Sequence, residues 1–132
     1  MHIDLNVDGP HSPEYTREVA AACSQAVRVL NHATKPGGLA HPVDVYEVLG
    51  SLAGGAANLP QALNQMARWT RSEAEQGRAA ENAAYGSHGG DTGAAVADMA
   101  EHLRQAADAA DALYEHLHAA REALAGMEGR SR

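Results

Sequence analysis

The chain of 132 residues has no phenylalanine, one tryptophan, one cysteine and only 20 leucine, isoleucine and valine residues. So few large apolar side chains cannot fill the thick core of a sheet-based layer protein. A lone Cys23 excludes an internal disulfide and fits a reducing compartment. Basic residues number 10 against 17 acidic, which argues against the positive patch that a nucleic-acid partner requires. The longest uncharged run, Val48 to Ala67, includes Asn58, Pro60, Gln61, Asn64 and Gln65 and is too polar for a membrane span. The opening His2-Ile3-Asp4-Leu5-Asn6-Val7-Asp8 lacks the basic start and apolar stretch of a signal peptide. The expectation is a cytoplasmic protein without a membrane partner.

What the chain does have is alanine, at 29 positions. Alanine has the highest intrinsic helix propensity and loses no side-chain entropy on ordering, so thin helices in close contact are expected. The boundaries are marked. Ser12-Pro13 is an N-cap followed by a first-turn proline, and Pro36-Gly37-Gly38 stops a first helix ending near Ala33. Its apolar row is Tyr15, Val19, Ala22, Ala26, Val29 and Ala33, with Cys23 beside it as an apolar filler. Pro42 starts a second helix whose row Val45, Leu49, Leu52, Ala56, Leu59, Leu63 and Met66 runs in phase through Pro60. That phase predicts one kinked helix or two nearly collinear ones, giving three or four helices in all. Trp69 follows as core filling or as an interface anchor.

Asp91 or Thr92 caps the last helix, predicted to run to about Ala125. Val96, Met99, Leu103, Ala106, Ala110, Leu113, Leu117, Ala120, Leu124 and Met127 follow one another at alternating spacings of 3 and 4. This is a heptad seam, with Glu101, Asp108, Glu115 and Glu122 on the opposite line. Residues 1–11 form an extended segment in which Ile3, Leu5 and Val7 alternate with polar residues, the period of a short strand that could pair with a partner's sheet edge. Residues 12–127 form one helical domain and 128–132 a tail.

The chemistry-bearing residues form no recognisable centre. Glu115 and His118 have the E-x-x-H spacing of di-metal bundles, but no second copy exists and both fall on outward positions. Asp98 and His102 are four apart on one face as a solvated pair. Gly37-Gly38 and Gly89-Gly90 lack the lysine and the strand of a phosphate loop. No catalytic, cofactor-binding or metal-binding residue is assigned. His102 and His116 flank the seam two heptads apart, where protonation could retune a helix interface.

Three stretches carry a resemblance: Ala26-Val27-Arg28-Val29-Leu30-Asn31-His32-Ala33-Thr34, Pro42-Val43-Asp44-Val45-Tyr46-Glu47-Val48-Leu49-Gly50-Ser51-Leu52 and Leu59-Pro60-Gln61-Ala62-Leu63-Asn64-Gln65. Together they resemble a group of uncharacterised small alanine-rich helical proteins of high-GC actinobacteria, linked to mobile or conjugative elements. The resemblance implies a small cytoplasmic accessory protein and carries over no site residue.

The sequence therefore predicts an all-α, elongated antiparallel bundle of three long rods, the middle one kinked or split near Pro60. Its expected role is a non-catalytic protein–protein interaction or scaffold module, a homodimer or the partner of another protein. The expected contact residues are the last helix's seam from Val96 to Leu124, Trp69, and the edge formed by Ile3, Leu5 and Val7. A small regulator acting on nucleic acid or a DNA-bound protein is the first alternative, and a metal-dependent enzyme using His and acidic side chains the second.

Overall fold

A computed structural model describes residues 3–130. It consists of α1 (Pro13–Ala33), α2 (Pro42–Glu75) and α3 (Thr92–Ala123), with no strand among the described residues. Local chemistry accounts for each start. The Ser12 hydroxyl accepts from the Tyr15 amide at 3.0 Å, and the Asp91 carboxylate from the Ala94 amide at 3.0 Å. At the head of α2 the Asp44 carboxylate accepts from the amides of His41 and Ala40, both at 2.8 Å. Those two backbone hydrogen bonds hold its carboxyl below the usual carboxylate range.

α2 is a single continuous helix through Pro60. Proline has no amide proton, so the carbonyl of Ala56 loses its usual donor there. At 34 residues α2 is about 51 Å long, and α3, at 32, about 48 Å. None of these helices is long and apolar enough to cross a membrane, among the described residues.

α2 and α3 pack antiparallel, and the backbone of α1 comes close to neither, its last turn only lining a groove with α2 through Leu30, Val48 and Leu52. The core between α2 and α3 is alanine: Ala53, Ala56, Ala107 and Ala110 are the buried hydrophobic residues, each at 5–6% exposure. On α2 the packed line also takes in the half-buried Tyr46, Leu49, Pro60, Leu63, Ala67 and Thr70. On α3 it takes in Val96, Ala100, Leu103, Tyr114, Leu117, Arg121 and Leu124.

This corrects the predicted register. Val96, Leu103, Ala110, Leu117 and Leu124 do face α2, but Ala106, Leu113 and Ala120 are exposed, and Ala107, Tyr114 and Arg121 take their places. Met99 is half-buried beside Ala100. The same shift occurs on α2, where Leu52, Leu59 and Met66 are exposed and Ala53, Pro60 and Ala67 turn inward. Each seam is rotated by roughly 50° from the one that periodicity predicts, at 100° per residue. The rotation puts the smallest side chains between the two backbones, which allows the closest approach.

The N-terminal strand does not form. The Tyr15 hydroxyl donates to the Asp4 carbonyl at 2.6 Å and accepts from the Asn6 amide at 2.9 Å, folding the segment back onto the first turns of α1. His11 stacks on the Tyr15 ring at 5.4 Å. Leu5 and Val7 are left 77% and 92% exposed. With no neighbouring strand to supply ladder hydrogen bonds, the local side-chain bonds prevail.

Candidate interaction face

The rotated register leaves an apolar row outside the core on each helix of the hairpin. On α2 it is Val45, Leu52, Leu59 and Met66, with Trp69 one line further out. On α3 it is Met99, Ala106, Leu113 and Ala120. Each row lies one residue before its helix's inner alanine line. In two antiparallel helices with the same seam geometry, such rows fall on the same side of the pair. Leu59 is 45% exposed, Met66 51%, Leu113 50% and Trp69 65%.

Most of the charged side chains lie on the other side; Glu73 continues the Met66 line beyond Ser72, and Asp98 lies next to His102. Glu47, Arg68, Arg71 and Glu75 of α2, and Glu101, Arg104, Asp108, Asp111, Glu115 and Glu122 of α3, occupy the opposite lines of their helices. Arg68, Arg71, Glu101 and Arg104 line a shared groove there. Arg104 donates to Glu101 at 2.7 and 3.0 Å and to Asp108 at 2.9 Å. The hydrogen bond from Arg104, and then that from Gln105, lowers the Glu101 carboxyl to about 2. On the apolar side, no Asp, Glu, Lys or Arg occurs from Val45 to Ser72 of α2 or from Met99 to Ala120 of α3. His102 and His116 border this face one line outward from the Met99–Ala120 row, and His102 Nε2 lies 3.3 Å from Asp98.

The expected contact residues are thus divided. Val96, Leu103, Ala110, Leu117 and Leu124 pack inside the hairpin. Met99, Ala106, Leu113, Ala120 and Trp69 lie on the uncharged face, and Ile3, Leu5 and Val7 stay with α1. Trp69 does not fill a core, because the residues that precede it by one turn, Met66 and Gln65, are themselves exposed. Cys23 is exposed as well, since α1 has no helix against its apolar side. Leu52, Leu59 and Met66 read as core residues in the sequence. The uncharged run from Val48 to Ala67 spans both their line and the buried Ala53 and Ala56, so it does not separate outward from inward residues.

A polar cluster closes the α2–α3 connection. The Glu81 carboxylate accepts from the amides of Gly90 at 2.8 Å and His88 at 3.1 Å. The His88 ring bridges Glu81, 3.2 Å from Nδ1, and Asp98, 3.1 Å from Nε2. No sequence pattern announces this arrangement, because its members lie 7 to 10 residues apart in a turn-rich stretch. Among the described residues, no three His, Cys, Asp or Glu side chains gather as a metal site.

No protein-family model, characterised protein or solved structure matches the chain.

Proposed function

We propose that this protein is a non-catalytic, self-associating helical interaction module whose binding surface is the uncharged face of the α2–α3 hairpin. The observation that carries this reading is the segregation of side chains. Leu59, Met66, Trp69 and Leu113 lie in solvent on a face without charge, while the Arg104 pairs with Glu101 and Asp108 occupy the opposite side. Exposed apolar patches bordered by polar residues mark interaction sites in soluble proteins.

Surface area supports a second copy as the partner. The chain exposes 9911 Å². A compact monomer of 13.8 kDa would expose about 6,600 Å². The excess, about 3,300 Å² per chain, is larger than the roughly 600–1,000 Å² that each partner buries in a stable interface.

Solution mass tests the proposal. Wild type is expected at twice the chain mass and the Leu59→Glu/Met66→Glu double variant at the single-chain mass, with unchanged helical circular dichroism. Wild type at the single-chain mass from micromolar to millimolar concentration would overturn it.

A further inference from the structure

The connection between α2 and α3 is built around one carboxylate and one imidazole. Glu81 accepts from the amides of His88 and Gly90, and its own amide donates to the Thr92 hydroxyl at 3.1 Å. The His88 carbonyl accepts from the Asp91 amide at 3.0 Å. Gly90 has a φ of 91°, and a Cβ there would meet that of Ala83 at 3.0 Å, so this tight path needs glycine. The His88 backbone is therefore held on both sides, which fixes the place of its ring between the connection and α3.

Both ring nitrogens face a carboxylate. Nδ1 lies 3.2 Å from Glu81 and 3.1 Å from the Ser87 hydroxyl, and Nε2 lies 3.1 Å from Asp98, in the second turn of α3. A carboxylate only accepts hydrogen bonds, and a neutral imidazole has a single N–H to give. Only the imidazolium, with two, satisfies Glu81 and Asp98 at once. The two contacts are unequal. The Glu81 side chain is 12% exposed and that of Asp98 53%, so water replaces a lost bond at Asp98 far more readily than at Glu81.

We propose that His88 is a proton-dependent clasp that ties the α2–α3 connection to α3 through Asp98. In the protonated ring Nδ1–H donates to Glu81 and Nε2–H to Asp98. On deprotonation the ring keeps its N–H at Nδ1, where Glu81 and the Ser87 hydroxyl both lie within reach, and gives up the proton at Nε2. The Nε2 lone pair then faces the Asp98 carboxylate, the two repel, and Asp98 turns to water. The clasp is closed below the range of about pH 5–8 in which histidine side chains change charge, and it opens as the pH rises through that range. The connection keeps its bonds to Glu81 but is released from α3.

The neighbouring titratable groups have other roles. His102 Nε2 lies 3.3 Å from the second oxygen of Asp98, but both belong to α3, so this pair does not hold the connection. Asp91 spends its carboxylate on the Ala94 amide, and at the end of α2 Glu73 is paired with Arg78. Among the described residues, Glu81 and Asp98 are the charged side chains that bond the His88 ring.

NMR of the full-length chain between about pH 5 and 8 tests the clasp, and a single chain serves as well as a dimer. His102→Gln is the background, so that His88 alone titrates beside Asp98. Above the titration range His88 is expected as the Nδ1–H tautomer, and the Asp98 carboxyl carbon is expected to shift with the His88 midpoint. Because Asp98 is half in water, the bond has the strength of an exposed pair, and the released population is expected to rise about threefold across the range. That rise is read as greater alpha-carbon mobility at Ser87 and Gly89. Adding His88→Gln is expected to flatten both the carboxyl shift and the mobility change. Circular dichroism should show the same helix content throughout, because α3 keeps its Asp91 cap. An Nε2–H tautomer above the range would overturn the clasp. So would an Asp98 shift that ignores the His88 midpoint, or equal mobility of Ser87 and Gly89 at both ends of the range.

Discussion

The guanidinium of Arg121, near the end of α3, lies over the ring of Tyr46, near the start of α2, with its centre 4.0 Å from the ring centroid. Gly50, one turn along α2, leaves room for it, since a Cβ there would approach Arg121 Nε to 2.8 Å. The contact ties together the end of the hairpin farthest from its connecting loop. Arg121 Nε is buried with no hydrogen-bond partner, so the stacking on Tyr46 and the packing of the stem hold this side chain in place. Arg121→Ala is expected to lower stability by about 1–2 kcal/mol. A double-mutant cycle with Tyr46→Leu, read by urea denaturation, should give a coupling of about 0.5–2 kcal/mol. A coupling of zero would show that the two side chains are only neighbours.

The alanine core makes a prediction opposite to the one that periodicity would make. Ala107→Leu adds bulk where the helices are closest and is expected to cost about 1–3 kcal/mol. Leu113→Ala removes bulk from the open face and is expected to cost less than about 1 kcal/mol in dilute solution, where chains are single. Thermal melts of the two variants decide the matter. If Leu113→Ala is the more damaging under dilution, the register described above is wrong.

Glu101 supplies a pH dependence. Its carboxyl falls from the ordinary 4.5 to about 2 because Arg104, and to a lesser degree Gln105, donate to the charged form. A carboxyl with a lower pKa in the folded chain than in the unfolded one stabilises the fold above the unfolded value. That contribution is therefore complete above about pH 4.5 and is lost as the pH falls toward 2. In a carboxyl-carbon NMR titration Arg104→Ala is expected to return Glu101 toward its ordinary value. An unchanged midpoint in that variant would remove Arg104 as the cause.

The connection between α2 and α3 depends on one carboxylate. Glu81 holds the amides of His88 and Gly90, and its side chain is only 12% exposed. Glu81→Ala leaves both donors without their acceptor and is expected to cost about 2 kcal/mol, with faster amide hydrogen exchange at His88 and Gly90. Helix content should stay the same, because α3 keeps its own Asp91 cap. Unchanged exchange at those two amides would show that the loop is held by other contacts.

The helices and their ends follow from the sequence alone. Ser12, Pro13, Pro42 and Asp91 set the starts by local chemistry that needs no tertiary partner, and alanine propensity carries the rods between them. The alternation of Ile3, Leu5 and Val7 was a weaker guide, because a strand exists only where a neighbour completes its hydrogen bonds, and Tyr15 supplied a closer alternative.

The side on which α2 and α3 meet was decided by the tertiary structure. Ala106 and Ala107, or Leu113 and Tyr114, are adjacent pairs that both fit a seam, so a period of 3.5 residues cannot choose between them. Packing chose the line through Ala53, Ala56, Ala107 and Ala110, which sets four small side chains where the helices meet. That choice sets Leu52, Leu59, Met66 and Leu113 outside the hairpin and, with α1 held apart, creates the open face. The shortage of large apolar residues is thus only half of the molecule's character. The other half is that many of the few it has are spent on the surface, which only the relative rotation of two helices could reveal.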